Sequence, residues 1–325
     1  MDGKMTTRAG AVVDAAPELV RQRLAEGEFF WLDLDGVGDA ATLLRDGFGF
    51  HPLAIEDAEH FGQRPKIEDY DGFTYFVIYG ADPDSGAPVE VHLFYSDKHI
   101  VTVHHGPCGP LDEVGARLGR HRTDELSPPE VAVLYLVVDQ LVDSFFPVLS
   151  RFDDRIDSIE DDILKLPTEA QLGELFDMKR SLVALRKVVT PERDMFASLL
   201  SGAVTLDGMT PEDERYFRDL YDHLIRVSDL VDSYRDLLSG VMDTHLSTVS
   251  NRLNVVMKQL AIIATIFLPL TFLTGFFGQN FAYLVLHVLN HTWAFWVLGV
   301  GLQAAAVVVL YVLFRRRGWM GGEAA

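Results

Sequence analysis

The side chains with the most chemical potential in this sequence fall on one line. From Asp243 a 4, 3 spacing picks out Ser247, Ser250, Asn254, Met257, Ala261, Ala264, Leu268, Thr271 and Gly275, most of them polar or small, on one face of a helix. Beyond Lys258 the surrounding residues turn strongly apolar. Inside a bilayer, polar groups normally face a bundle interior or a water-filled path. Two readings fit: a pore lining, with Asp243 as an acidic ring that attracts cations, or close helix packing through small residues. His287 and His291, four apart, would share a helix face and suit Zn2+, Co2+ or Ni2+; two interfacial histidines without a metal fit the same spacing. His104, His105 and Cys108 read as a strand end and a Gly-Pro loop rather than a metal site. No Ser/His/Asp arrangement, phosphate-binding Gly loop or HExxH motif stands out, so no enzyme is expected.

The element that carries this line sets its context. From Gln259 to Phe314 there are 56 residues without an Asp, Glu, Lys or Arg. A helix crosses a bilayer with roughly 20 apolar residues. Residues 260–277 (LAIIATIFLPLTFLTGFF) and 293–314 (WAFWVLGVGLQAAAVVVLYVLF) are each long enough, so two membrane spans are expected. Two spans cannot enclose a pore, so a pore requires several copies around an axis. Arg252 and Lys258 before the first span and Arg315, Arg316 and Arg317 after the second place both ends in the cytoplasm. The start, MDGKMTTRAG, has no apolar core and predicts no cleavable signal peptide.

The whole chain of 325 residues has 28 Lys+Arg against 48 Asp+Glu, a formal charge of −20. The tail beyond Phe314 contributes +2, so residues 1–258 carry the remaining −22. That balance argues against a nucleic-acid partner, since phosphates need a basic face. One cysteine excludes a disulfide framework. Strand signals occur at residues 29–34, 73–79, 89–95 and 100–104, with helical signals at 40–48 and 111–118, which reads as a small α/β domain. From about Pro128 the pattern is helical. Leu149, Phe152, Ile156, Ile159 and Ile163 form one apolar stripe, with an acidic face over residues 153–162. A second helix over 169–189 should end before Pro191. A third keeps an unbroken apolar spacing from Phe217 to His245 and predicts one helix from about Pro211 through Phe277.

The stretch 243–281 (DTHLSTVSNRLNVVMKQLAIIATIFLPLTFLTGFFGQNF) closely resembles the CorA magnesium-transporter family, with Gly278, Gln279 and Asn280 at the place of its Gly-x-Asn signature. The resemblance extends through FGFHPLAIEDAEHFGQRPKIEDYDGF, YFRDLYDHL and FRRRGW, covering nearly the whole chain from about Phe29. It implies a homopentamer in a lipid bilayer, its cytosolic α/β domains forming a funnel and its long helices lining the pore. It places Gly278, Gln279 and Asn280 at the outer selectivity filter. It places Asp243, Asn254, Met257, Leu260 and Leu268 at pore-lining or gating positions, beside Ser250, Ala264 and Thr271 of the polar line. Asp57 and Asp219 match an acidic pair that binds regulatory divalent cations between subunits.

Three departures from the family pattern concern the ion. Gln279 replaces the usual Met, the loop AYLVLHVLNH holds no carboxylate, and Val255 stands where Glu is common. The expected layout is an α/β domain over 1–127, helical arms over 128–210 and a stalk helix over 211–258. A pore helix over 259–277, an outer loop over 278–292, a second span over 293–314 and a basic tail over 315–325 complete it. The expected function is Mg2+ transport gated by cytosolic divalent ions. A Zn2+, Co2+ or Ni2+ transporter of the same fold, or a membrane-anchored ion sensor, are the alternatives.

Overall fold

The computed structural model describes residues 1–7, 11–120 and 129–319. The expected boundary between residues 127 and 128, and residues 320–325 of the tail, lie outside the described residues. Two compact units are present, Met1–Thr244 and His245–Ala325.

The first unit is built on a seven-stranded sheet: β1 (Gly3–Thr7), β2 (Val12–Asp14), β3 (Phe30–Asp35), β4 (Lys66–Tyr70), β5 (Phe73–Ala81), β6 (Pro88–Tyr95) and β7 (His99–His104). Their order is β2-β1-β3-β7-β6-β5-β4, antiparallel except for the parallel pair β3 and β7. Successive side chains of β5 leave opposite faces of the sheet. Tyr75, Val77 and Tyr79 enter one core and Phe76 and Ile78 the other. Both faces are therefore covered, and every residue of β5 is buried. Sequence reading finds β3, β5, β6 and β7 but misses β1, β2 and β4. The two edge strands, VVD and KIEDY, are short or charged, as edges that must not recruit another strand tend to be.

Helices α1 (Pro17–Glu26), α2 (Pro52–Glu59), α3 (Gly109–Arg120), α4 (Pro129–Asp143), α5 (Phe145–Lys165), α6 (Glu169–Leu200) and α7 (Asp213–Phe277) cover the two faces. Helices α3 and α4 and the start of α7 close one core; α1, α2, α5 and the Val227–Val241 stretch of α7 close the other. The stripe expected on α5 is buried at Leu149, Ile156, Ile159 and Ile163, with Phe152 partly buried, while its acidic face is exposed. The helical signal at 40–48 is borne out: residues 38–47 are helical without a break, with 3-10 geometry at Gly38–Ala40 and π geometry at Leu43–Gly47.

Helix α6 corrects the expectation that it ends before Pro191. It opens on a capping box between Thr168 and Gln171 and continues to Leu200 with Pro191 inside it. Pro191 removes one backbone bond and crowds the preceding turn. Burial of Val189, Met195, Phe196 and Leu199 on either side of it offsets that loss.

Helix α7 has 65 residues, about 100 Å at 1.5 Å per residue. Every residue of its predicted apolar spacing from Phe217 to His245 is buried. In the second unit, α7 continues to Phe277 and a last helix spans Thr292–Arg316. Among the described residues, three helical stretches are long and apolar enough to cross a membrane. The most apolar window of the stretch over Pro129–Lys165 is 56% buried, whereas those within α7 and Thr292–Arg316 are 0% and 6% buried. The first is core; the apolar windows of the other two are left uncovered among the described residues.

Candidate functional site

The predicted line on α7 is exposed throughout. Ser250, Asn254, Ala264 and Thr271 are all open, and Met257, Leu260 and Leu268 are 64%, 55% and 72% exposed. Asp243, on the same helix at the end of the first unit, is also exposed. Among the described residues, Asp243, Ser250 and Asn254 make no side-chain hydrogen bond, so their polar atoms are available to water or ions. Thr271 differs: its hydroxyl donates to the Phe267 carbonyl at 2.9 Å. Pro269, one residue past Leu268, has no N–H to give the Thr265 carbonyl. That leaves a backbone acceptor beside the line.

The helix ends at the predicted signature. The Gly278 N–H bonds the Thr274 carbonyl at 2.9 Å, and a Cβ at 278 would meet that same oxygen at 2.9 Å. Glycine therefore permits the tight exit from α7. Gln279 and Asn280 follow it, exposed and outside regular structure. His287 and His291 do not share a helix face. The helical segment Val285–Leu289 ends before His291, whose backbone is extended at the start of the next helix. His287 stacks on Tyr283 and His291 on Trp293, so the structure does not assemble the expected pair.

In the first unit, Asp57 lies on α2 behind the Pro52 start, with the His51 ring accepting from the Leu53 N–H to cap it. Asp57 Oδ2 is 2.6 Å from Lys66 Nζ, and Lys66 is 2.9 Å from Glu68 on the same strand. Burial works against the Lys66 charge, but hydrogen bonds to Asp57 and Glu68 outweigh it and hold its pKa above the usual value. Asp219, on α7, is 62% exposed at its side chain and 3.9 Å from His223 Nε2. No hydrogen bond or ion pair joins Asp57 to Asp219 within the described residues of one chain. Sequence reading missed a neighbouring group. Asp139 and Asp143 on α4 meet His223 on α7, with one ligand atom from each within 4.8 Å of the others. Burial, then the Asp143 charge, raises the Asp139 pKa. The i, i+4 spacing of the two aspartates was visible; their meeting with a residue 80 positions on was not.

The family model described as CorA-like Mg2+ transporter protein matches residues 26–316. The chain belongs to this CorA family. A Bacillus subtilis (strain 168) relative, YfjQ, is 37% identical over 90% of this chain and 90% of its own. The cobalt/magnesium transport protein CorA of Thermotoga maritima is 33% identical over 89% of this chain and 83% of its own. The complete structure of the CorA magnesium transporter from Methanocaldococcus jannaschii matches with a TM-score of 0.82 and 19% identity, over 98% of this chain and 99% of that one. The CorA architecture is thus present: an α/β soluble domain, one long helix and apolar C-terminal helices. Membership makes the chain a membrane protein, and the uncovered helices of the second unit are its apolar part.

Proposed function

We propose that this CorA-family chain is a homopentameric divalent-cation channel or transporter of the cell inner or plasma membrane, with Mg2+ as its principal substrate. The observation that carries the reading is the apolar window of α7, none of it buried, bearing a line of polar and small residues. Ser250 and Asn254 on the stalk run on in the same line through Ala264 and Thr271 in the span, and an axis shared by several copies places that whole line on water. Both termini are then cytoplasmic, the two helices cross the bilayer, and the turn after Phe277 faces outside.

Mg2+ sheds its water reluctantly. A ring of Asn280 side-chain oxygens, with Gly278 and Gln279 shaping the turn, would accept hydrogen bonds from that water. Met257, Leu260 and Leu268 would close the path as hydrophobic constrictions that expel water, with Ser250, Asn254, Ala264 and Thr271 between them. A ring of Asp243 would concentrate cations at the inner end. Asp57 and Asp219 offer hard oxygen donors, the ligand chemistry Mg2+ takes, and a regulatory ion bound between them on adjacent subunits would neutralise their repulsion. Asp139, Asp143 and His223 stand next to Asp219 and extend that cation-binding region.

Flux of Mg2+, Zn2+, Co2+ and Ni2+ into liposomes holding the purified protein tests the function. Wild type should carry Mg2+, and Asn280→Ala should lose discrimination or most of the flux. A wild type that carries no divalent ion would be a sensor rather than a transporter.

A further inference from the structure

We propose that the Lys66 ammonium is a built-in competitor for the regulatory cation at Asp57, displaced when that cation binds, and so sets the concentration at which the site fills. The inference rests on the reading of Asp57 as a cation-binding residue. Lys66 comes from the edge strand β4, whose neighbour β5 holds it in place along the whole strand. Its Nζ lies 2.6 Å from Asp57 Oδ2 and 2.9 Å from Glu68 Oε1. The Tyr75 ring sits 5.5 Å from the same nitrogen, and the Tyr70 hydroxyl donates to the second Glu68 oxygen at 2.9 Å. Lys66 and Asp57 side chains are each 28% exposed, against 58% for Lys4 in its surface pair with Asp112. This ammonium is positioned on several sides rather than trailing in solvent.

An ammonium and a divalent ion ask for the same thing, a carboxylate oxygen. Lys66 holds Asp57 Oδ2, while Oδ1 accepts no hydrogen bond among the described residues. An incoming ion meets a fixed positive charge within contact distance of its ligand, and the repulsion is stronger here than in bulk water because the group is half shielded. Displacing Nζ removes that repulsion but gives up two charge-assisted bonds. Either cost weakens apparent affinity. With Lys66 gone, the space its nitrogen fills is flanked by the carboxylates of Asp57 and Glu68, a better site for a hard divalent ion. A lysine that only braces α2 against the sheet predicts the opposite: its loss would disorder Asp57 and weaken binding. The sign of the effect separates the two.

The test uses full-length protein in detergent and two readouts apart from transport. These are the midpoint of Mg2+-dependent protection from limited proteolysis and Mg2+ binding by calorimetry. Lys66→Gln and Lys66→Met should lower the midpoint about 3- to 30-fold, as expected for removing one nearby, partly shielded charge. Lys66→Arg should stay near wild type, and Asp57→Asn should raise the midpoint. An unchanged or raised midpoint in both neutral variants, with Asp57→Asn still raised, overturns the competition and leaves Asp57 as sensor. An Asp57→Asn midpoint equal to wild type removes the sensor reading and the competition with it. Should neither neutral variant assemble, acylation of Lys66 by an amine-reactive ester, followed by mass spectrometry on wild type, decides. Labelling that climbs with Mg2+ over the protection range supports displacement, and labelling that stays flat or falls overturns it.

Discussion

His99 is enclosed by the rings of Phe30, Phe48 and Phe50, and neither of its ring nitrogens has a hydrogen-bond partner among the described residues. Burial pushes its pKa down to about 4; the Asp97 charge pulls upward and Lys98 adds a smaller downward push. The unfolded chain binds a proton there near pH 6.5, and the folded chain does not until about pH 4. Stability contributed by neutral His99 is therefore intact above pH 6.5 and is lost as pH falls towards 4, by about 3 kcal/mol over the window. His99→Phe keeps the aromatic packing without the proton. Its thermal-unfolding midpoint between pH 7 and 4.5 should decline less than that of wild type; parallel declines would place the acid sensitivity elsewhere. Residues of this kind mark the limit of sequence reading. His99 is one of 11 histidines, and burial among three phenylalanines distant in sequence is the largest influence on its behaviour. Asp57 was located by family resemblance, whereas its ammonium partner depends on an edge strand too polar to be recognised.

At the scale of elements, the close approach of α4 to β5 turns on Gly80. A Cβ there would lie 2.9 Å from both Leu141 Cδ2 and Ser144 Oγ and 3.1 Å from the Leu141 carbonyl. Ser144 uses that proximity, accepting from the Ala81 N–H at 2.7 Å. Gly80→Val should destabilise the protein by about 1–3 kcal/mol through overpacking, read as a lower denaturation midpoint at constant slope. An unaltered midpoint would mean that α4 shifts away freely. Helices α5 and α7 were legible because one side of each is buried over many turns, which repeats the apolar spacing. Helix α6 was not, because its interior proline is a strong local stop signal that burial on both sides overrides. The histidine pair at 287 and 291 failed for a related reason: spacing implies a shared face only while the helix lasts, and this one ends at Leu289.

For the whole molecule, the apolar windows of α7 and Thr292–Arg316 are almost wholly uncovered in one chain, at 0% and 6% buried. The proposed homopentamer in lipid would cover them, and native mass spectrometry from detergent should then give about 180 kDa, five chains of 36.3 kDa. A monomer or dimer as the largest species would remove the shared axis on which the pore depends. The sequence by itself determined the uncharged end, the long helix entering it and the polar line along one face, since all three are periodic or compositional features set by neighbours in the chain. It also separated an acidic part of −22 from an apolar one. Tertiary structure alone decided that Pro129–Lys165 is core and not a span, and that Asp139 and Asp143 meet His223. It alone decided that Lys66 sits on Asp57. These depend on contacts between residues distant along the chain, and a one-dimensional pattern carries no record of which buried faces meet.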